Sequence, residues 1–134
     1  MRLLLDTHTF IWFIGGDSKL SAYARQLIEN TENERLLSIA SLWEMSIKAS
    51  IGRLRLNTTF PNMVRDHVMG NALDLLPIRP GYLEIVRALA FHHKDPFDRL
   101  IIAQSQSENL PVLSLDQVFD DYEGVQRIWD LQTV

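Results

Sequence analysis

The chain has no cysteine among its 134 residues. Disulfides, thiolate-bound zinc and cysteine nucleophiles are therefore excluded, and the composition suits a reducing cytosol, so a cytoplasmic location is expected. Basic residues are not in excess: 13 Lys and Arg stand against 17 Asp and Glu, for a formal net charge of −4. A globally basic nucleic-acid binder is not indicated. Local basic clusters remain, Lys48 with Arg53 and Arg55, and Lys94 with Arg99. Long apolar runs are missing too. The densest, residues 10–14, falls far short of the roughly 20 residues that span a bilayer. Asp6 interrupts the first apolar run, so no signal peptide is read at the N-terminus. No repeat, linker or low-complexity segment divides the sequence, and a single domain over 1–134 is expected.

What is present alternates. Short apolar runs at 2–5, 36–39, 73–78, 111–115 and 125–131 read as buried strands. Between them lie helical segments: 7–14, stopped by Gly15-Gly16; one opened by Ser18 and running through Ile28; one opened by Ser38 or Ser41 and running to Ile51 before Gly52; one from Pro61 through Val68; one after Pro80-Gly81 through Ala90; and one opened by Asp95-Pro96 through Ala103. Residues 10–14 are apolar nearly all round, so that helix is expected to be buried or partly covered by a partner. Alternating strands and helices indicate an α/β fold with a parallel sheet covered on both faces.

Against this frame four carboxylates stand where an apolar segment ends or breaks: Asp6, Glu44, Asp98 and Asp116. A buried carboxylate must be protonated, paired or metal-bound. Asp6 and Asp116 follow strands, at the end where ligands of open parallel sheets collect, although either could simply cap the next helix. Glu44 shares a helix face with Ala40, Ile47 and Ile51, which points it inward; the plainer reading is a surface pair with Lys48 one turn on. Asp95 reads as a helix N-cap, with Asp98 in the first turn, on the side of Ile101 and Ile102. Should the four converge, they form a hard, oxygen-rich site for Mg²⁺ or Mn²⁺.

The segments LLLDTHTFIW, ASLWEMSIKASIGRL, HHKDPFDRLIIAQ and PVLSLDQVF, in this order along essentially the whole chain, resemble the signatures of PIN-domain ribonucleases, and more narrowly the VapC-type toxins of bacterial toxin–antitoxin pairs. The resemblance implies a PIN domain, a three-layer α/β/α sandwich with a short parallel sheet of four to five strands. It implies that Asp6, Glu44 and Asp98 match the three core acids and Asp116 the more variable fourth. Ser114 falls near a position where the family often has a hydroxyl, and Asp95 matches a frequent extra acid. It further implies an Mg²⁺- or Mn²⁺-dependent endoribonuclease held inactive by a cognate antitoxin, with homodimerisation.

The chemistry agrees with that class. Phosphodiester hydrolysis needs an activated water and neutralisation of phosphoryl charge, and none of the four histidines lies in an obvious nucleophile–base arrangement; a metal can do both jobs. Asp6, Glu44 and Asp98 are expected to hold the ion, with Asp116 completing its surroundings or helping a second one. Thr7 is expected to hydrogen-bond a neighbouring carboxylate or a water at the metal. Lys48 and Arg99 are expected to contact RNA phosphates, otherwise forming a helix pair and a surface salt bridge. Trp12, Phe13 and Trp43 supply apolar surface for the core, with any remainder open to an antitoxin or a second copy. Competing readings are a receiver-like Mg²⁺-binding signalling domain, a non-catalytic interaction module whose acids are all caps, and a DNA nuclease on a related fold. Asp6 is followed by Thr7 and His8 rather than a second acid, which disfavours the receiver.

Overall fold

Leu3, Leu4 and Leu5 are fully shielded from solvent, and this unbroken apolar strand is the centre of the sheet. In the computed structural model, which describes residues 1–131, β1 (Arg2–Leu5), β2 (Glu34–Ser38), β3 (Asp74–Leu76), β4 (Val112–Leu113) and β5 (Arg127–Ile128) pair in parallel in the order β3-β2-β1-β4-β5. The last three residues of the expected 1–134 domain lie outside the described residues. Successive strand side chains point to opposite faces. Leu5, Leu37 and Leu113 pack with Phe10, Met45 and Met63 on one side; Leu4, Leu36 and Val112 pack with Ile101, Ile102 and Phe119 on the other. Burying each such side chain contributes roughly 1.5–3 kcal/mol, which is why a sheet of two- to five-residue strands can hold.

The helices are α1 (Thr7–Gly15), α2 (Ala22–Glu29), α3 (Ile39–Ser50), α4 (Phe60–Met63), which continues as a π-helical turn (Val64–Met69), α5 (Pro80–Ala88) and α6 (Pro96–Glu108). With the sheet they make the α/β/α sandwich. A 3₁₀ turn, Gln117–Asp121, precedes β5. Among the described residues no helix is long and apolar enough to cross a membrane.

Several boundaries differ from the sequence reading, each for a local reason. Helix α2 begins at Ala22 rather than near Ser18, because Ser21 is the cap: its hydroxyl accepts from the Ala24 N–H. Ser38, not Ser41, opens α3, and so ends β2 one residue early. Helix α6 runs past Ala103 to Glu108, since Gln104 and Ser105 are buried although polar; Ser105 Oγ donates to the Leu110 carbonyl. Helix α5 stops at Ala88, leaving its last carbonyls free for a side chain.

That side chain is Arg99, and it corrects an expectation. Arg99 is 7% exposed, and its guanidinium donates to the carbonyls of Val86, Leu89, Ala90 and His93 at 3.1–3.4 Å, with the Phe91 ring 4.4 Å away. It is neither a surface salt bridge nor a free phosphate ligand; it holds the end of α5 and the following loop against α6. Arg99→Ala strands those carbonyls and should lower stability by roughly 2–4 kcal/mol in urea unfolding. Arg99→Lys should recover little, because one ammonium cannot reproduce the planar fork.

Candidate metal centre

In this strand order the chain leaves β1 in one direction to form β2 and β3, then returns to place β4 on the other side of β1. Beyond the carboxyl ends of two strands that separate in this way a crevice opens, the usual ligand position of such sheets. Asp6 follows β1 and Asp116 follows β4 by three residues. Helices α1, α3 and α6 all begin at this end: Asp6 and Ser38 cap α1 and α3 where β1 and β2 stop, and Asp95 caps α6 in the same cleft as Asp6. The cleft has a volume of about 410 Å³ and is lined by Asp6, His8, Trp12, His93, Asp95, Asp98, Leu115 and Asp116.

Asp6 serves two purposes. It is the N-cap of α1, with Oδ1 accepting from the Thr9 N–H at 2.8 Å, while Oδ2 accepts from Ser114 Oγ at 2.5 Å. Ser114 in turn accepts from the Asp116 N–H at 3.0 Å, so one hydroxyl links the acids that follow β1 and β4. Asp6 is only 5% exposed, and burial pushes its carboxyl above the usual range against the opposing hydrogen bonds from Ser114 and Thr9.

Asp98 sits in the first turn of α6, where Asp95 caps the helix by accepting from the N–H groups of Phe97 and Asp98. Its carboxyl is pushed up to about 7. Burial is the largest cause, followed by the negative charges of Asp95 and Asp6, with Glu44 adding to them and His93 opposing. Asp116 is half exposed; it caps the 3₁₀ turn by accepting from Val118 N–H.

Glu44 is buried, as its inward reading expects, but the later part of its helix face is not. It is 4% exposed, yet Ile47 and Ile51 on the same face are 39% and 60% exposed. Burial of α3 is confined to its first two turns, Ala40 to Met45, and Glu44 lies there. The Lys48 pair also forms, with Nζ 2.7 Å from Oε2, so the buried-acid reading and the helix-pair reading both hold. Glu44 Oε1 is buried and lacks a hydrogen-bond partner among the described residues. Glu44 does not line the cleft; its tie to the site is the charge it exerts on Asp98.

Thr7 is a correction. Its hydroxyl donates to Ser41 Oγ at 2.9 Å in the interior, tying α1 to α3, rather than to a carboxylate. His93 is the residue that sequence reasoning missed. Its Nδ1 accepts from the Asp95 N–H at 3.2 Å, which leaves Nε2 carrying the proton; Nε2 faces Asp98 Oδ2 at 2.8 Å and Asp116 Oδ2 at 3.8 Å. One ligand atom from each of His93, Asp98 and Asp116 falls within a 4.8 Å span. The signal was present in HHKDPFD, but a histidine three residues before a helix has no periodicity to reveal its direction.

The donor set fits a hard divalent cation. Carboxylate oxygens dominate, one buried oxygen is unpartnered, and the one direct cationic partner among the described residues is Lys48 on Glu44. Such a concentration of negative charge in a partly dry cleft favours a cation strongly.

Comparison with known proteins agrees with this architecture. The PIN domain family model matches residues 3–125. No curated protein matches the chain. Among solved structures it is similar to VapBC2 from Rickettsia felis bound to a DNA fragment from its promoter (15% identity, TM-score 0.71, covering 97% of this chain and 100% of that one). It is similar to DNA-bound VapBC from Salmonella typhimurium (20%, 0.67, 96% and 97%). A third likeness is to VapBC-5 from Mycobacterium tuberculosis, a member of the VapBC family of toxin–antitoxin systems (17%, 0.61, 96% and 98%). At these identities the structural likenesses speak to the fold, while the family model covers most of the sequence: the chain belongs to the PIN domain family.

Proposed function

We propose that this protein is a divalent-metal-dependent endoribonuclease, the toxin of a type II toxin–antitoxin pair. The observation that carries the chemistry is the convergence of Asp6, Asp98 and Asp116 on one cleft at the switch point of the sheet, within reach of the charge of Glu44. Asp6, Asp98 and Asp116 would hold the cation in the cleft, and Glu44, which does not line it, would act through its charge or through waters of the ion. When bound, Mg²⁺ or Mn²⁺ neutralises charge on the phosphate and makes a water a stronger nucleophile.

The chain's own residues set up that chemistry. Ser114 fixes the orientation of Asp6 and, through the Asp116 backbone, the loop after β4. His93, in the lining of the same cleft, orients Asp98. Lys48 holds one oxygen of Glu44 and leaves the other free. The PIN assignment removes the receiver-like reading, whose acids belong to another fold. The antitoxin proposal is supported by likeness to VapBC complexes, and RNA rather than DNA as substrate follows the resemblance.

Incubating the chain with total RNA in Mg²⁺ should give discrete cleavage products, and EDTA should abolish them. Matching DNA oligonucleotides should survive. Products that persist in EDTA, or equal cutting of DNA, would count against this reading.

A further inference from the structure

One wall of the cleft is aromatic, and the chemistry assigned to the acids leaves it unused. Trp12 and His8 line the same cleft as Asp6, Asp98 and Asp116. Their rings lie 5.8 Å apart, tilted by 43°. Trp12 packs against Trp129 in an edge-to-face arrangement, at 6.0 Å and 70°, and Trp129 is itself buried. Lys19 Nζ lies 5.9 Å from the Trp12 ring. Lys19 is exposed and pairs with no carboxylate among the described residues.

We propose that Trp12, with His8 and Lys19, is the nucleobase subsite of this cleft: a base beside the cut phosphodiester stacks on Trp12, His8 closes its edge, and Lys19 meets a neighbouring phosphate. The proposal rests on reading the cleft as a ribonuclease site. Three observations favour a single-stranded nucleotide as occupant. The platform shares its cleft with the acids, so a base there belongs to a nucleotide at the reacting centre. A duplex keeps its base faces covered, whereas a single strand offers them for stacking. The cleft lining holds no Lys or Arg, so stacking on the indole supplies affinity that cationic side chains there do not.

The test separates binding from cleavage. Affinity of a labelled oligouridine, and of the same strand with abasic sites, is measured by anisotropy in Mg²⁺; cleavage of unlabelled oligouridine is followed separately. Stacking of one base contributes roughly five- to hundredfold in affinity. Trp12→Ala should weaken oligouridine binding and raise KM by that factor with kcat changed less than about twofold, while leaving the already weak binding of the abasic strand unchanged. Trp12→Phe, which keeps the packing on Trp129, should retain most of the affinity. His8→Ala, at an exposed position, should lose a smaller part. Lys19→Gln should weaken binding modestly and flatten its salt dependence by about one ion.

Equal affinity of wild type and Trp12→Ala for oligouridine, or equal binding of the abasic and normal strands by wild type, would overturn the subsite. Tight, Trp12-dependent binding without cleavage would sustain it and sink the nuclease reading. Cleavage indifferent to Trp12 would do the reverse.

Discussion

Asp98→Asn should lower Mg²⁺-dependent RNA cleavage by at least about a hundredfold, with the fold intact. The substitution is close to isosteric, and the amide oxygen can still accept from His93 Nε2, 2.8 Å from the carboxylate oxygen it replaces. What disappears is negative charge at the position where the fields of Asp95, Asp6 and Glu44 meet. Circular dichroism should be unchanged, and melting without metal should be equal or higher. Asp6→Asn should be as inactive but less clean. Both oxygens of Asp6 accept, one from the Thr9 N–H and one from Ser114 Oγ, so an amide NH₂ must take the Ser114 side and reverse that hydrogen bond, which deprives the Ser114 proton of its acceptor at a cost of about 1–3 kcal/mol. Comparing the two variants separates lost chemistry from lost structure: Asp98→Asn tests the site, and Asp6→Asn tests the site together with the cap of α1.

The second large effect is a pH dependence of stability that metal reverses. Asp98 has an ordinary carboxyl pKa near 3.8 when unfolded and about 7 when folded, chiefly through burial. Between those values the folded chain holds a proton that the unfolded chain has released. Stability therefore falls as pH rises from about 4 through 7, and Asp6, raised in the same direction, adds to the fall. This is opposite in sign to the usual salt-bridged aspartate. In EDTA, thermal melting should be higher at pH 5.5 than at pH 8 over this part of the curve. In Mg²⁺ the difference should shrink or invert, because the cation binds the ionised carboxylates of the folded state and stabilises it with increasing concentration. Asp98→Asn should flatten the metal-free profile. A wild-type profile that rises steadily from pH 5 to 8 in EDTA would show that the acids are not jointly buried.

Much of this arrangement was legible in the sequence because it depends on one-dimensional signals. A run such as Leu3-Leu4-Leu5 has few alternatives to a buried parallel strand, and an acid directly after it lands at the ligand-binding end of the sheet. The helix start at Asp95 was equally readable, and that of α3 was narrowed to Ser38 or Ser41, since a cap needs only a short side chain and the next two or three residues. The misreadings came from contacts distant in space. Nothing in the neighbourhood of Arg99 shows that the last carbonyls of α5 will meet it. Thr7 could not be foreseen to choose Ser41 over a carboxylate, because the partner lies 34 residues away. Glu44 was placed inward for a reason only half correct: α3 is buried over its first turns and emerges before Ile47 and Ile51. His93 depends on the path of an irregular loop whose course is fixed by the Tyr122 hydroxyl and the Asp95 backbone, and no local pattern encodes that path.

Calorimetric titration of Mn²⁺ into the wild-type chain and into Asp98→Asn at pH 8 tests the convergence of these acids most directly. Saturable binding to wild type, at least about tenfold weaker in Asp98→Asn and weaker again in wild type at pH 6, is the expected outcome. Absence of saturable binding to wild type, or equal binding by the variant, would contradict it.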